Sequence, residues 1–174
     1  MIASIRLIPR IALFSALVYV LSWGTSFLPN INFIFFIVFS AGFMWGVAAG
    51  VLVGVFGMGL WSLFNPYGPA IFPVLVAQLV GVSFSGMIGS FFKIRNWQTK
   101  GGWKINISLI ISAVLCTIFF YFPVNVVDAW VFQPFWPRFY TGMFWALISL
   151  GSNVIIFPLL FRALRFLYIR ERAL

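Results

Sequence analysis

The sequence predicts an all-α membrane protein: one domain over residues 1–174, six transmembrane helices, and both termini in the cytoplasm. Three observations carry that expectation. First, 63% of the residues are hydrophobic and only 7% are charged, against about a quarter charged in ordinary soluble domains. Second, turn-forming residues cut the apolar sequence into runs of the length needed to cross hydrocarbon. Third, ten of the eleven Lys and Arg gather in three segments: the start of the chain, the stretch between the fourth and fifth runs, and the tail. Only Arg138 lies on the opposite side. Such a bias marks the cytoplasmic face and calls for an even number of crossings. The net charge of +9 is thus an orientation signal, and a nucleic-acid surface is not expected.

Arg6 and Arg10 lead into the first run, and a helix is predicted over residues 8–27. This opening resembles a signal peptide, but no small-x-small cleavage site follows, so an uncleaved helix is expected. Leu28-Pro29-Asn30 breaks it. The second run, 31–44, is short and rich in Phe, and the turn to the next helix is expected near Gly42 to Gly46. The third, 47–63, belongs to a glycine series with Gly42, Gly46, Gly50 and Gly54 each four residues apart. That spacing predicts a bare backbone groove into which a neighbouring helix packs closely. The run ends at Asn65-Pro66-Tyr67-Gly68-Pro69, a turn-rich loop. A fourth span over 71–92 contains Gln78, and residues 93–104 hold Lys93, Arg95, Lys100 and Lys104 without an acid. A fifth span covers 105–122, a loop 123–138, and a sixth span 139–160. Arg162, Arg165, Arg170 and Arg172 follow. The outer loops on this reading are 24–32, 64–70 and 123–138.

The inventory excludes much chemistry. The sequence has no His, one Cys (Cys116) and two acids, Asp128 and Glu171. Histidine-ligated metals, Ser-His-Asp triads and carboxylate pairs lack their parts, so no enzyme, cofactor or metal site is expected. A lone thiol makes no intrachain disulfide, and Cys116, within an apolar run, is read as packing. The uncharged polar residues collect at the outer ends: Asn30, Asn32, Asn65, Tyr67, Asn125 and Gln133, beside Asp128, Arg138, Trp23, Trp61, Trp130 and Trp136. The tryptophans alone fit an interfacial belt. Amides gathered beside them fit something further, because aromatic faces and a few convergent amides hold a small planar solute. Gln78, about two turns inside the fourth span, must bond another helix or a ligand, since an unpartnered amide there costs a few kcal/mol. Asn153 is read as helix packing. Asp128 and Arg138 pair either with each other or with solute.

Several of these residues converge on a resemblance. Ala41-Gly42-Phe43, the glycines to Gly54, Leu60-Trp61 and the loop from Asn65 to Pro69 are similar to the glycine-rich second-to-third helix region of substrate-binding S components (EcfS) of energy-coupling factor (ECF) transporters. Ala12 and Ala16 resemble the AxxxA notch by which that family docks on its coupling subunit. Size, helix number and the basic segment between the fourth and fifth spans resemble the family too. The resemblance implies a protein without chemistry of its own in the bacterial cytoplasmic membrane. It would capture a vitamin-like solute from outside, in a pocket roofed by the first helix connection and the connection between the third and fourth helices. Partners would be the transmembrane coupling protein (EcfT) and two ATPases (EcfA type), whose ATP hydrolysis reorients the S component to release solute inside. Expected solute-contacting residues are Asn30, Asn32, Trp61, Asn65, Tyr67, Gln78, Asp128 and Arg138, with a neutral or anionic solute preferred. The alternative is a small scaffold protein of the MreD type, which needs no pocket; there Gln78 and the outer amides satisfy one another.

Overall fold

The computed structural model describes residues 2–94 and 102–172. Six helices run in sequence: α1 (Ile2–Gly24), α2 (Ile34–Trp45), α3 (Val47–Phe64), α4 (Phe72–Ile94), α5 (Trp103–Phe132) and α6 (Phe135–Arg172). Five are long and apolar enough to cross a membrane, and the chain is a multi-pass membrane protein. Arg95 and Lys100 of the basic segment lie outside the described residues.

The sixth element, α2, departs from expectation. Its 12 residues rise only about 18 Å, short of the roughly 30 Å of a hydrocarbon core. Every residue from Ile34 to Met44 is buried, and α2 touches all five other helices. A helix apolar on all sides belongs inside a bundle, so the short Phe-rich run is the core of the molecule and not a lipid-facing span. Its Phe35, Phe36, Phe39 and Phe43 interlock with Phe92, Phe120, Phe157 and Phe161 from α4, α5 and α6.

Close backbone approach fixes α2 among its neighbours. A Cβ on Gly50 of α3 would stand 2.7 Å from the Gly86 Cα of α4 and 2.8 Å from the Gly42 Cα of α2. Three helices therefore meet where three glycines lack side chains. Gly46 plays a different part from the one its spacing predicts. It links α2 to α3 with φ +95° and faces nothing within 4 Å; its glycine is needed for the turn. Gly54 packs against Val38 and Val82.

The predicted loop over 123–138 is corrected. The α5 helix continues through Pro123 to Phe132, and α6 begins at Phe135. Bilayer helices tolerate an internal Pro when packing restores what the ring disrupts, and α5 lies along α6. Gln133 makes the short turn from both sides: its Nε2 donates to Trp130 O at 3.1 Å and its Oε1 accepts from Phe135 N at 2.9 Å. The basic tail is also helical, because Phe161, Leu164 and Tyr168 continue a buried stripe along α6.

Cross-links define two ends. At the basic end Arg10 pairs with Glu171 at 2.7 Å, Trp45 Nε1 donates to Glu171 Oε1 at 2.8 Å, and Lys93 Nζ donates to Met44 O at 3.0 Å. Both termini of the described chain therefore lie at one end. At the other, Tyr19 Oη and Trp23 Nε1 of α1 both donate to Phe64 O at the close of α3.

Candidate functional site

The short α2 leaves room above its first turn. The chain from Thr25 to Phe33 is not helical, and Tyr121 of α5 reaches its Asn30. Irregular backbone at membrane depth is tolerated where protein buries it or where it borders a cavity. A cavity of about 490 Å³ occupies this position, lined by residues of the 25–33 connection, α2, α3, α4, α5 and α6. That volume lies within the range of small-molecule sites.

Five of the sequence-predicted residues line it: Asn30, Asn32, Trp61, Tyr67 and Gln78. The 65–71 loop brings Tyr67 in. Asn65 closes that loop on itself, with Nδ2 donating to Gly68 O at 2.9 Å and Oδ1 accepting from Tyr67 N at 2.8 Å. Tyr67 Oη then donates to Ser26 O, joining the two loops that border the cavity. Asn65 is thus a loop-former that does not line the cavity.

Gln78 makes the helix-to-helix bond that is one of its two anticipated roles, and it also lines the cavity. Ser62 Oγ of α3 donates to Gln78 Oε1 at 2.7 Å, while the same side chain borders the cavity. One end of the amide ties α4 to α3, and Nε2 remains for the cavity. Asn32 Oδ1 is buried with no hydrogen bond of good geometry. Tyr121 Oη donates to Asn30 Oδ1 at 3.4 Å. Asn125 Nδ2 has only the Met143 sulfur, at 3.5 Å, a weak acceptor. Gly142 leaves the space that Asn125 fills: a Cβ there would stand 2.6 Å from Asn125 Oδ1.

Asp128 and Arg138 do not join this group. They form an ion pair at the close of α5 and the start of α6, and Arg138 lies 4.5 Å over the Phe132 ring. Of the two pairings open in the sequence, the structure has the one between themselves. No charged side chain lines the cavity. Asn153 bonds across helices as expected, Nδ2 to Thr117 Oγ1 at 3.0 Å.

Tyr121 and Trp145 also line the cavity, and inspection of the sequence singled out neither. Each lies inside an apolar run, where an aromatic reads as lipid-facing or core. The available signal was the Tyr121 hydroxyl, which within a span needs a partner as much as Gln78 does. A second cavity, also about 490 Å³, runs between α4 and α5 near the basic end, lined by Ile88, Phe91, Trp103, Lys104 and Ile107 among others. It collects no amides and faces outward. Among the described residues no group of three His, Cys, Asp or Glu comes together.

Ala12 and Ala16 are exposed on α1, beside exposed Ile8, Leu13 and Val20. That face is free of intramolecular partners at the notch. The chain matches no protein-family model, no curated protein and no solved structure.

Proposed function

We propose that this protein captures a small solute at the outer face of a bacterial cytoplasmic membrane and hands it to a coupling module, as an S component of an ECF-type importer does. One observation carries the reading: a cavity of about 490 Å³ with amides and aromatic rings on its walls and no charge, placed at the end of the bundle opposite the basic segments. Positive-inside bias puts that end outside the cell. A scaffold protein of the MreD type would fill such a space with apolar side chains, since buried amides facing a void cost stability. The chain carries no catalytic group at the cavity, so the reading is binding and delivery without chemistry. The exposed Ala12–Ala16 face of α1 is the surface assigned to the coupling protein, whose ATPases would supply the work. With few ions outside the basic end, the body can tilt in lipid without burying many charges.

The test is mass spectrometry of small molecules released from the detergent-purified protein after growth in rich medium. A compound present near one per chain is expected. An empty protein that also takes up no compound from a vitamin mixture would overturn the reading in favour of the scaffold.

A further inference from the structure

We infer that the groove between α4 and α5 holds one anionic phospholipid of the cytoplasmic leaflet, with an acyl chain lying along α5 and the headgroup on Lys104. The site is separate from the outer cavity, and it stands whether or not that cavity captures a solute.

The groove has a volume of about 490 Å³ and is walled by Ile88 and Phe91 of α4 and by Trp103, Ile107, Ile111 and Leu115 of α5. From Trp103 to Leu115 the α5 wall rises about 18 Å. That is close to the roughly 15 Å of one leaflet, half of the hydrocarbon core. The groove starts at the basic end, so the leaflet is the cytoplasmic one under the positive-inside bias. Its hydroxyls are already used: Ser108 Oγ donates to Lys104 O at 3.1 Å and Ser112 Oγ to Ser108 O at 2.8 Å, both within α5. Phe91 and Ile111 are more than half exposed along it, apolar surface that a lipid tail covers. Lys104 is the charged residue among those lining the groove.

The chain supplies no counter-charge for that lysine. Its sequence holds two acidic side chains, Asp128 and Glu171, and these pair with Arg138 and Arg10. Residues 93–104 include four cations and no acid. An anion from outside the chain therefore meets this rim. The cytoplasmic leaflet offers one in its anionic headgroups, which basic pockets between membrane helices bind. Trp103, exposed beside Lys104, has the amphipathic ring that settles at headgroup depth. A second copy of the chain fits this groove poorly. Copies share one orientation in the membrane, so a second basic end would add cations where acids are lacking.

The test titrates the detergent-purified full-length protein with phosphatidylglycerol and with phosphatidylcholine of identical chains, counting bound lipid by native mass spectrometry. The first phosphatidylglycerol is expected to bind more tightly than the first phosphatidylcholine. Lys104→Gln should weaken phosphatidylglycerol about fivefold, the effect of one basic residue at an anionic surface, and leave phosphatidylcholine unchanged. Arg165→Gln, which removes the same charge from an exposed position on α6, should change neither. Ser108→Phe fills the groove without breaking a bond between helices and should abolish the first bound lipid of either kind. Ile111→Trp, at an exposed position, gives the same reading if Ser108→Phe lowers the melting temperature. Equal affinity for the two lipids overturns the inference, as does undiminished binding to both groove-filling variants. An equal loss from Lys104→Gln and Arg165→Gln also overturns it, leaving only diffuse surface charge. Lipid-free dimers that Ser108→Phe abolishes would overturn it too and give the groove to a second copy.

Discussion

At the scale of single residues, the polar side chains at the non-basic end divide by whether they line the cavity. Asn65, Gln133, Asp128 and Arg138 are satisfied locally; Asn32, Gln78 and Asn125 line the cavity, Gln78 through a side chain also bonded to Ser62 and Asn125 with only a weak sulfur acceptor. This distinction was invisible in the sequence, where all seven are polar residues near helix ends. Arg138→Gln should therefore leave solute binding unchanged and lower stability by less than ~1 kcal/mol, because the pair is partly exposed and such pairs contribute little. Thermal unfolding and a binding titration on the same sample check both halves. Loss of solute affinity in this variant would return Arg138 to the site and reopen an anionic solute.

At the scale of elements, the glycine contact between α2, α3 and α4 governs the bundle. A Cβ on Gly86 would lie 2.5 Å from the Gly50 carbonyl carbon, so Gly86→Ala must push two backbones apart. Overpacking of this kind costs about 1–3 kcal/mol or more. Gly24, with nothing within 4 Å of its Cβ position, is the control: Gly24→Ala should be neutral. Melting temperatures in one detergent compare the two, and equal values would remove the helix contact from its central place. The glycine spacing placed Gly46 in the packing groove, while the expected turn near Gly42 to Gly46 is where the structure puts this residue. Spacing reports which residues share a helix face only after the helix boundary is known, and that boundary falls at Gly46.

At the scale of the whole molecule, the prediction concerns orientation and partners. Cys116 is buried and is the only thiol in the sequence, so an introduced cysteine reports without background. Leu28→Cys should react with an impermeant thiol reagent on intact cells, and Arg165→Cys only after the membrane is opened. The reverse pattern would invert the topology and place the cavity inside. Ala12→Trp or Ala16→Trp should reduce recovery of a coupling protein on pull-down several-fold while solute binding persists. Both alanines are exposed on α1, so the added ring meets no part of this chain's core. Undiminished recovery would move the docking surface elsewhere.

Composition and the order of residues determined the all-helical membrane class, the glycine packing, the gathering of cations at the chain's ends and middle, and the candidate amides. These properties follow from hydrophobic transfer and helical periodicity, which act locally and leave marks in sequence. The tertiary structure alone decided that α2 is a 12-residue helix buried among the others, and that α5 continues through Pro123. It also decided which amides face a cavity and which face one another. Those outcomes depend on what other helices place around a segment. A run of 12 apolar residues reads alike whether lipid or five helices surround it, and Asn32 reads like Asn65 until the positions of their possible partners are known.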